Sequence, residues 1–598
     1  MWRKCCTVLF VLLSVGVVAS SETVFRTLGG WDMPPAYNGN PFAPGGVGAA
    51  NDYIYGYLFF NNVISGSFEP WLATSFEETP DSLVVHLRND LTWEDGVPFT
   101  SRDVYTSFYV GGAISTWKEV WKYVDRIETP DDYTVVFHWA PEKSILAKTF
   151  IFDKWIRAPY HIYGRWLDEA VTIVTLRKTI WEKEAAGEDT TSLEAALDAV
   201  FGPFRESLRA YKPERPIGVG PFKLGKVTAD EMVLVKRPDT PWAETIQFDE
   251  IRVGRFTTNE LAWAAFRAGE VDIEKPTTPE DVVASLIAAQ PNLRHIPVPD
   301  FASFALVFNQ ERYPFSEKAF RQALAYVIDR DKVRTIALRY GSTVEYPCGL
   351  LPSSLEQWTR PEFRTQLNSY PVDLAKAEEL LEGLGMYKDS SGYWHSPDGA
   401  LLEFEITARE GYTDWIMAAD EIARQLTDFG IKTTTRIVKG ELFGPTLSGK
   451  DYDMTIEFGV FAKFHPVQGY TRLYWPTGWI ARISGAPLQC VGPDGEPLDL
   501  KALTDELMAT PDKSAQMDLI EKLAWATNEY LPVLEFLEKR AQFLILDGVR
   551  AAGWPEYSPH PTEPNVWVPG PEMLDKFGYN WRFATVMWMA EGTLVPVR

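Results

Sequence analysis

The chain has 598 residues, 45% of them apolar and 23% charged, with a formal net charge of −24. That composition is ordinary for a globular protein, and the length allows about four units of roughly 150 residues each. So acidic a surface repels phosphate backbones and anionic lipid, which argues against a nucleic-acid partner.

In chain order the first feature is a leader. Arg3 and Lys4 form a basic start, residues 8–18 are apolar apart from Ser14 and Gly16, and the small residues Ala19, Ser20 and Ser21 precede Glu22. Residues 1–21 therefore read as a signal peptide, with cleavage after Ala19 or Ser21. The apolar run is too short to span a bilayer comfortably. No later run of 18 apolar residues follows, so the mature chain is expected to be soluble and extracytoplasmic. Cys5 and Cys6 precede the apolar stretch, whereas a lipoprotein cysteine follows it, so no lipid anchor is expected. Cys348 and Cys490 remain, and an exported protein could join them.

Strand-like alternation falls at 83–87, 134–138, 251–256, 304–308, 402–407, 432–438, 452–458 and 541–546. Helical patterns lie between. Thr257 with Glu260 reads as a capping box, closed by Gly269. Ser316 is placed to cap a long helix with Phe320, Leu324, Val327 and Ile328 on its apolar face, ending before Gly341. Asp373 starts a helix that stops near Gly383, and Thr413 starts another that stops at Gly430. Thr510 and Pro511 open a helix that runs to about Tyr530. Helix–strand alternation predicts α/β units with covered sheets.

Enzymatic motifs are weak. The seven histidines are scattered without metal-ligand spacing, and no nucleophile elbow is present. Residues 444–451 almost spell a phosphate loop, but Asp451 stands where a magnesium-holding hydroxyl belongs. A surface turn between a helix and a strand is the better reading. No metal, cofactor or catalytic residue is expected. A secreted glycoside hydrolase, which needs two carboxylates across a cleft, is kept as a remote alternative.

Several segments carry a resemblance in colinear order. Residues 70–77 read PWLATSFE, 83–88 LVVHLR and 93–104 WEDGVPFTSRDV; 218–224 read GVGPFKL, 266–273 FRAGEVDI and 318–330 KAFRQALAYVIDR. Together they resemble the large solute-binding proteins of ATP-binding-cassette (ABC) importers, in the family of the oligopeptide- and dipeptide-binding proteins. The resemblance implies a two-lobed α/β periplasmic-binding-protein fold with mixed sheets, an inserted subdomain and two crossover hinge strands. Mapped here, lobe I comprises 22–50, 213–303 and 542–598, the inserted subdomain 51–212, and lobe II 304–541. It further implies a monomer that closes around a small-molecule ligand and presents it to the transporter's membrane subunits.

Which ligand is a question of side-chain chemistry. Peptide-binding members place an acidic residue after the strand equivalent to 452–458, to meet the peptide's α-ammonium. Here that position falls on Ala462, beside Lys463, and a buried ammonium without a counter-charge is costly. Sugars instead lay their C–H faces on aromatic rings and offer hydroxyls to directional hydrogen bonds. The chain has 22 Trp, 25 Tyr and 34 Phe, and several stand at element ends. Trp31 follows Gly29 and Gly30 beside Asn38 and Asn40. Tyr412 and Trp415 flank a helix start, and Phe458, Phe461, Trp475 and Trp479 follow a strand. These rings are the candidate platforms, with Asn38 and Asn309 as hydroxyl contacts, because solutes sit at strand ends and between domains. An oligosaccharide is therefore favoured over an oligopeptide. His465 lies in the same loop and is expected to pack or hydrogen-bond.

Overall fold

A computed structural model describes residues 23–30, 37–114, 116–141 and 144–597. The alternating segments all form strands. Among the described residues an eleven-stranded mixed sheet runs Phe222–Val227, Glu231–Lys236, Glu250–Arg255, Val24–Gly29, Ile273–Glu274, Val533–Leu546, Leu293–Phe308, Met454–Phe461, Glu403–Arg409 and Lys432–Val438, with Ser342–Thr343 paired alongside Val533–Leu546. Val24–Gly29 lies parallel to Glu250–Arg255, and Glu403–Arg409 parallel to Lys432–Val438.

Two long antiparallel strands join the halves. Leu293–Phe308 pairs with Val533–Leu546 from Leu293↔Leu546 to Val307↔Val533. Their register slips between Pro299↔Arg540 and Ser303↔Glu538, where Phe301 adopts φ +52°. The extra residues bulge one strand and bend the ladder. Hydrophobic packing divides at the same point. Ile296, Val298, Phe543 and Ile545 belong to one core with the N-terminal strands and the C-terminal helix, whereas Phe304–Phe308 and the Val533–Leu537 stretch belong to a second. The bulge is thus the natural pivot between two lobes. A separate four-stranded antiparallel sheet, Ala73–Glu78, Ser82–Leu87, Thr134–Trp139 and Val124–Asp131, extends the first core with helices Ser101–Ile114, Leu167–Ala185 and Thr191–Ala210.

Local signals set several helix ends. Asp373 caps Leu374–Gly383 by accepting from the Lys376 amide, and Gly430, at φ +105°, ends Thr413–Phe429. Three starts differ from the sequence reading. The cap of Asn259–Arg267 is Thr258, which accepts from the Leu261 amide, not Thr257. The helix expected from Ser316 is two, Lys318–Val327 and Arg330–Ala337, because Ile328 is extended and Asp329 caps the second. Asp512 rather than Thr510 caps Lys513–Tyr530. The near phosphate loop forms the end of helix Gly440–Ser448 and a turn, with Lys450 paired to Glu311 at 2.7 Å. Cys348 and Cys490 are both free thiols, so the possible disulfide is not formed. No described helix is long and apolar enough to cross a membrane. The expected signal peptide lies outside the described residues.

Candidate functional site

Strand pairing sets the first wall. Met454–Phe461 runs antiparallel to Leu293–Phe308, which puts Phe458 opposite Phe304 and Phe461 opposite Ala302 at the pivot. The first turn of helix Thr413–Phe429 drops Trp415 onto both rings, 5.9 Å from Phe304 and 5.1 Å from Phe458. Tyr412 lies 4.9 Å from Trp415, and Phe461 4.8 Å from Phe458. The result is one aromatic row leading from the core to the space between the lobes. Trp415, at 3% exposure, is enclosed in it, while Phe461 is 42% exposed at its open end.

Beyond Phe461 lies a cavity of about 560 Å³ between the two lobes. The second lobe contributes Phe461, Phe464, Trp475 and Trp479; the four-stranded-sheet domain contributes Tyr123 and Phe150, whose rings stack at 6.0 Å. A smaller space of about 250 Å³ adjoins it, sharing Tyr123. Ring orientation is fixed by buried polar groups. Trp479 donates its indole N–H to Glu457 at 2.8 Å. Glu457 also accepts from the Phe458 amide, and burial raises its carboxyl above the usual range. Arg472 donates to the Phe458 and Gly459 carbonyls and sets its guanidinium 5.1 Å from the Phe461 ring centre. The Trp475 indole N–H is buried without an acceptor among the described residues.

The charges around the cavity are already matched. Lys122 pairs with Glu119 at 2.9 Å, and Lys154 with Asp153 at 3.1 Å. Asp153 also accepts from the Tyr579 hydroxyl at 2.7 Å. At the pivot, Ala462 is buried and its amide donates to Phe301. Lys463 reaches across the lobes to the Tyr579 carbonyl at 2.6 Å. Burial pushes its ammonium down to about 8, with Asp153 opposing the shift. A second stitch runs from the Ile145 amide to the Met508 carbonyl at 2.9 Å.

Of the residues singled out from the sequence, Phe461, Trp475 and Trp479 line the cavity, and Phe458, Trp415 and Tyr412 stand behind Phe461. Asn309 is fully buried at the far end of its strand, beside the Phe308↔Met454 pair, donating to the Lys450 and Tyr452 carbonyls. Asn38 is buried too. It ties its own loop by donating to the Pro44 carbonyl and accepting from the Asn40 amide. Trp31 lies outside the described residues. His465 packs 4.3 Å from the Trp358 ring and accepts from the Val467 amide. Tyr123 and Phe150 were not anticipated, since nothing local marks them as facing another lobe. Among the described residues no cluster of His, Cys, Asp or Glu is arranged to hold a metal ion.

Comparison with known proteins agrees with this architecture. A solved oligopeptide-binding protein of an ABC transporter from Thermotoga maritima superposes with TM-score 0.70 at 22% identity, covering 96% of this chain and 99% of that one. A mannohexaose-bound structure under the same protein description gives TM-score 0.65 at 20% identity. A candidate ABC transporter peptide-binding protein of Brucella ovis is 26% identical over 386 residues, 62% of this chain. Glutathione-binding protein GsiB of Salmonella paratyphi A is 28% identical over 345 residues, 56% of this chain and 57% of that one. The matched region spans 64% of the length of the Brucella relative. The family model for the middle region of these solute-binding proteins matches residues 67–481, well over half of the chain. The protein belongs to the bacterial extracellular solute-binding proteins, family 5.

Proposed function

We propose that the protein captures an extracytoplasmic solute in the inter-lobe cavity, and that the solute is an oligosaccharide handed on to the membrane subunits of an ABC importer. Binding, not chemistry on the solute, is the activity. The observation that carries this reading is a cavity walled by the faces and edges of Phe461, Trp475 and Trp479 in which the charged groups are already neutralised by one another. Such a site offers stacking surface for pyranose C–H faces. Among the described residues the carboxylates at this site are engaged: Glu119 with Lys122, Asp153 with Lys154 and Glu457 with Trp479. The mannohexaose complex of the Thermotoga protein supports the same choice by analogy of fold.

An oligopeptide is the second reading, supported by the names of the Brucella and Thermotoga proteins. Thermal-shift and calorimetric titration with manno-, cello- and xylo-oligosaccharides against a peptide mixture separate the two, because stabilisation grows with the logarithm of ligand concentration over Kd. Stabilisation by peptides alone would sink the sugar assignment. Released monosaccharide after long incubation would instead reveal a hydrolase.

A further inference from the structure

A second cavity, of about 430 Å³, opens on the other face of the crossover strands. Successive side chains of a strand point to opposite faces. Lys539 points to the cleft side, where it pairs with Asp300 at 3.0 Å and acts electrostatically on Asp414, beside Trp415. Arg540 therefore points away from the cleft, into this second space. One wall is the stretch 331–343 of the second lobe, and the other is 560–569, which packs with the first; Pro297 and Arg540 form the floor.

The lining brings Arg334, Arg339, Arg540 and His560 together with Asp331 and Glu563. Arg334 is fully engaged by Asp331, Thr343 and the Arg339 carbonyl. The others are not. Arg540 donates only its Nε, to Ser342 Oγ at 2.9 Å, and Arg339 only its Nε, to Glu280 at 3.0 Å. Their terminal amines have no acceptor among the described residues. His560 Nδ1 accepts from the Thr562 and Glu563 amides, which leaves the ring proton on Nε2 as a donor. Glu563 is exposed and forms no ion pair among the described residues.

We propose that this cavity binds a small multivalent anion of the phosphate or polycarboxylate class, gripped by the free guanidinium edges of Arg540 and Arg339 and by His560. Planar guanidinium groups present paired donors that match two anionic oxygens. The anion touches both lobes and so favours the inter-lobe angle seen here. The inference is independent of which solute the cleft takes.

The test is calorimetry and thermal denaturation of the full chain with millimolar phosphate or citrate, against sodium chloride at matched ionic strength. Matching removes screening, and low millimolar concentrations lie below those at which salt exclusion stabilises proteins generally. Binding of phosphate or citrate is expected, with affinity weakened about tenfold or more by Arg540→Gln and strengthened by Glu563→Gln. A response no greater than that to chloride, or one that survives Arg540→Gln, overturns the proposal. Should Arg540→Gln fail to fold, Arg339→Gln and Glu563→Gln must shift the affinity in opposite directions, and absence of that opposition also overturns it.

Discussion

The Lys463 ammonium crosses from the second lobe to donate to the backbone carbonyl of Tyr579 on the C-terminal helix, 2.6 Å away, and lies 4.6 Å from the Tyr579 ring centre. One side chain thereby stitches the lobes beside the pivot at Phe301. It also occupies ground next to Ala462, where peptide-binding relatives are expected to carry an acid.

Lys463→Met keeps an apolar stem and deletes the donor. A two-state hinge loses closed population when a contact made only in the closed form is removed. The ligand-free variant is expected to scatter X-rays as a more open particle, with a larger radius of gyration than the parent. Superimposable scattering curves would show that the bond does not hold the lobes.

Phe461→Ala and Trp479→Ala each remove a cavity face; Phe461 is 42% exposed, whereas Trp479 is half-buried, packs against the second core and bonds to Glu457. Each is expected to weaken oligosaccharide binding about tenfold or more, a loss of roughly 1–2 kcal/mol of stacking, with the melting temperature little changed for Phe461→Ala and lowered for Trp479→Ala, which takes the indole donor from buried Glu457. Trp479→Phe, which keeps a ring but releases Glu457, should fall between. Calorimetric affinities equal to wild type would remove these rings from the site.

What the sequence revealed depended on how local the signal was. Asp373 and Gly430 are read directly, because a cap bonds to amides or carbonyls within four residues of itself. Thr258 was missed by one position, since two adjacent threonines offer the same oxygen. The break at Ile328 hides inside a continuous apolar face, and only the Asp329 bond to the Lys332 amide reveals the second helix start. The cleft was partly legible: rings at the ends of two strands were named, and Phe461, Trp475 and Trp479 do line the cavity. Which way Trp415 faces was not legible, because its partner Phe304 lies more than a hundred residues away. Tyr123 and Phe150 are further still from Phe461 in sequence, and only the tertiary fold brings them to the same space.

Burial changes the role expected of two named residues. Trp415 is enclosed by Phe304, Tyr412, Phe443 and Phe458, so Trp415→Ala should cost roughly 3–5 kcal/mol of stability through the cavity it leaves. Asn309→Ala takes the side-chain donor from the buried Tyr452 carbonyl, while the Lys450 carbonyl keeps its bond from Arg312, and should cost about 1–3 kcal/mol, without altering affinity for solute in the protein that remains folded. Urea denaturation measures the first quantity and calorimetry the second. A Trp415→Ala variant of undiminished stability would contradict its placement in the core.

Glu535 gives the last prediction, a pH dependence of stability. It is fully buried on the second crossover strand, accepting from Ser303 Oγ at 2.7 Å and the Gly349 amide at 2.8 Å, and no cation is paired with it among the described residues. Burial lifts its carboxyl from 4.5 to about 7, and the neighbouring Glu538 carboxylate adds to the rise. Cys348, Tyr470 and Tyr474, which also face it, are themselves pushed upward by burial and stay neutral across that range. Between pH 4.5 and 7 the folded chain therefore binds more protons at this site than the unfolded chain. Stability must fall as pH rises through that window, by up to an order of 3 kcal/mol, and level off above it. Glu535→Gln retains an acceptor for the Gly349 amide, presents a donor to Ser303 and carries no charge, so it should flatten this contribution and be the more stable protein at pH 8. Equal stability differences between variant and wild type at pH 5 and pH 8, measured by urea unfolding, would show that Glu535 does not carry the effect.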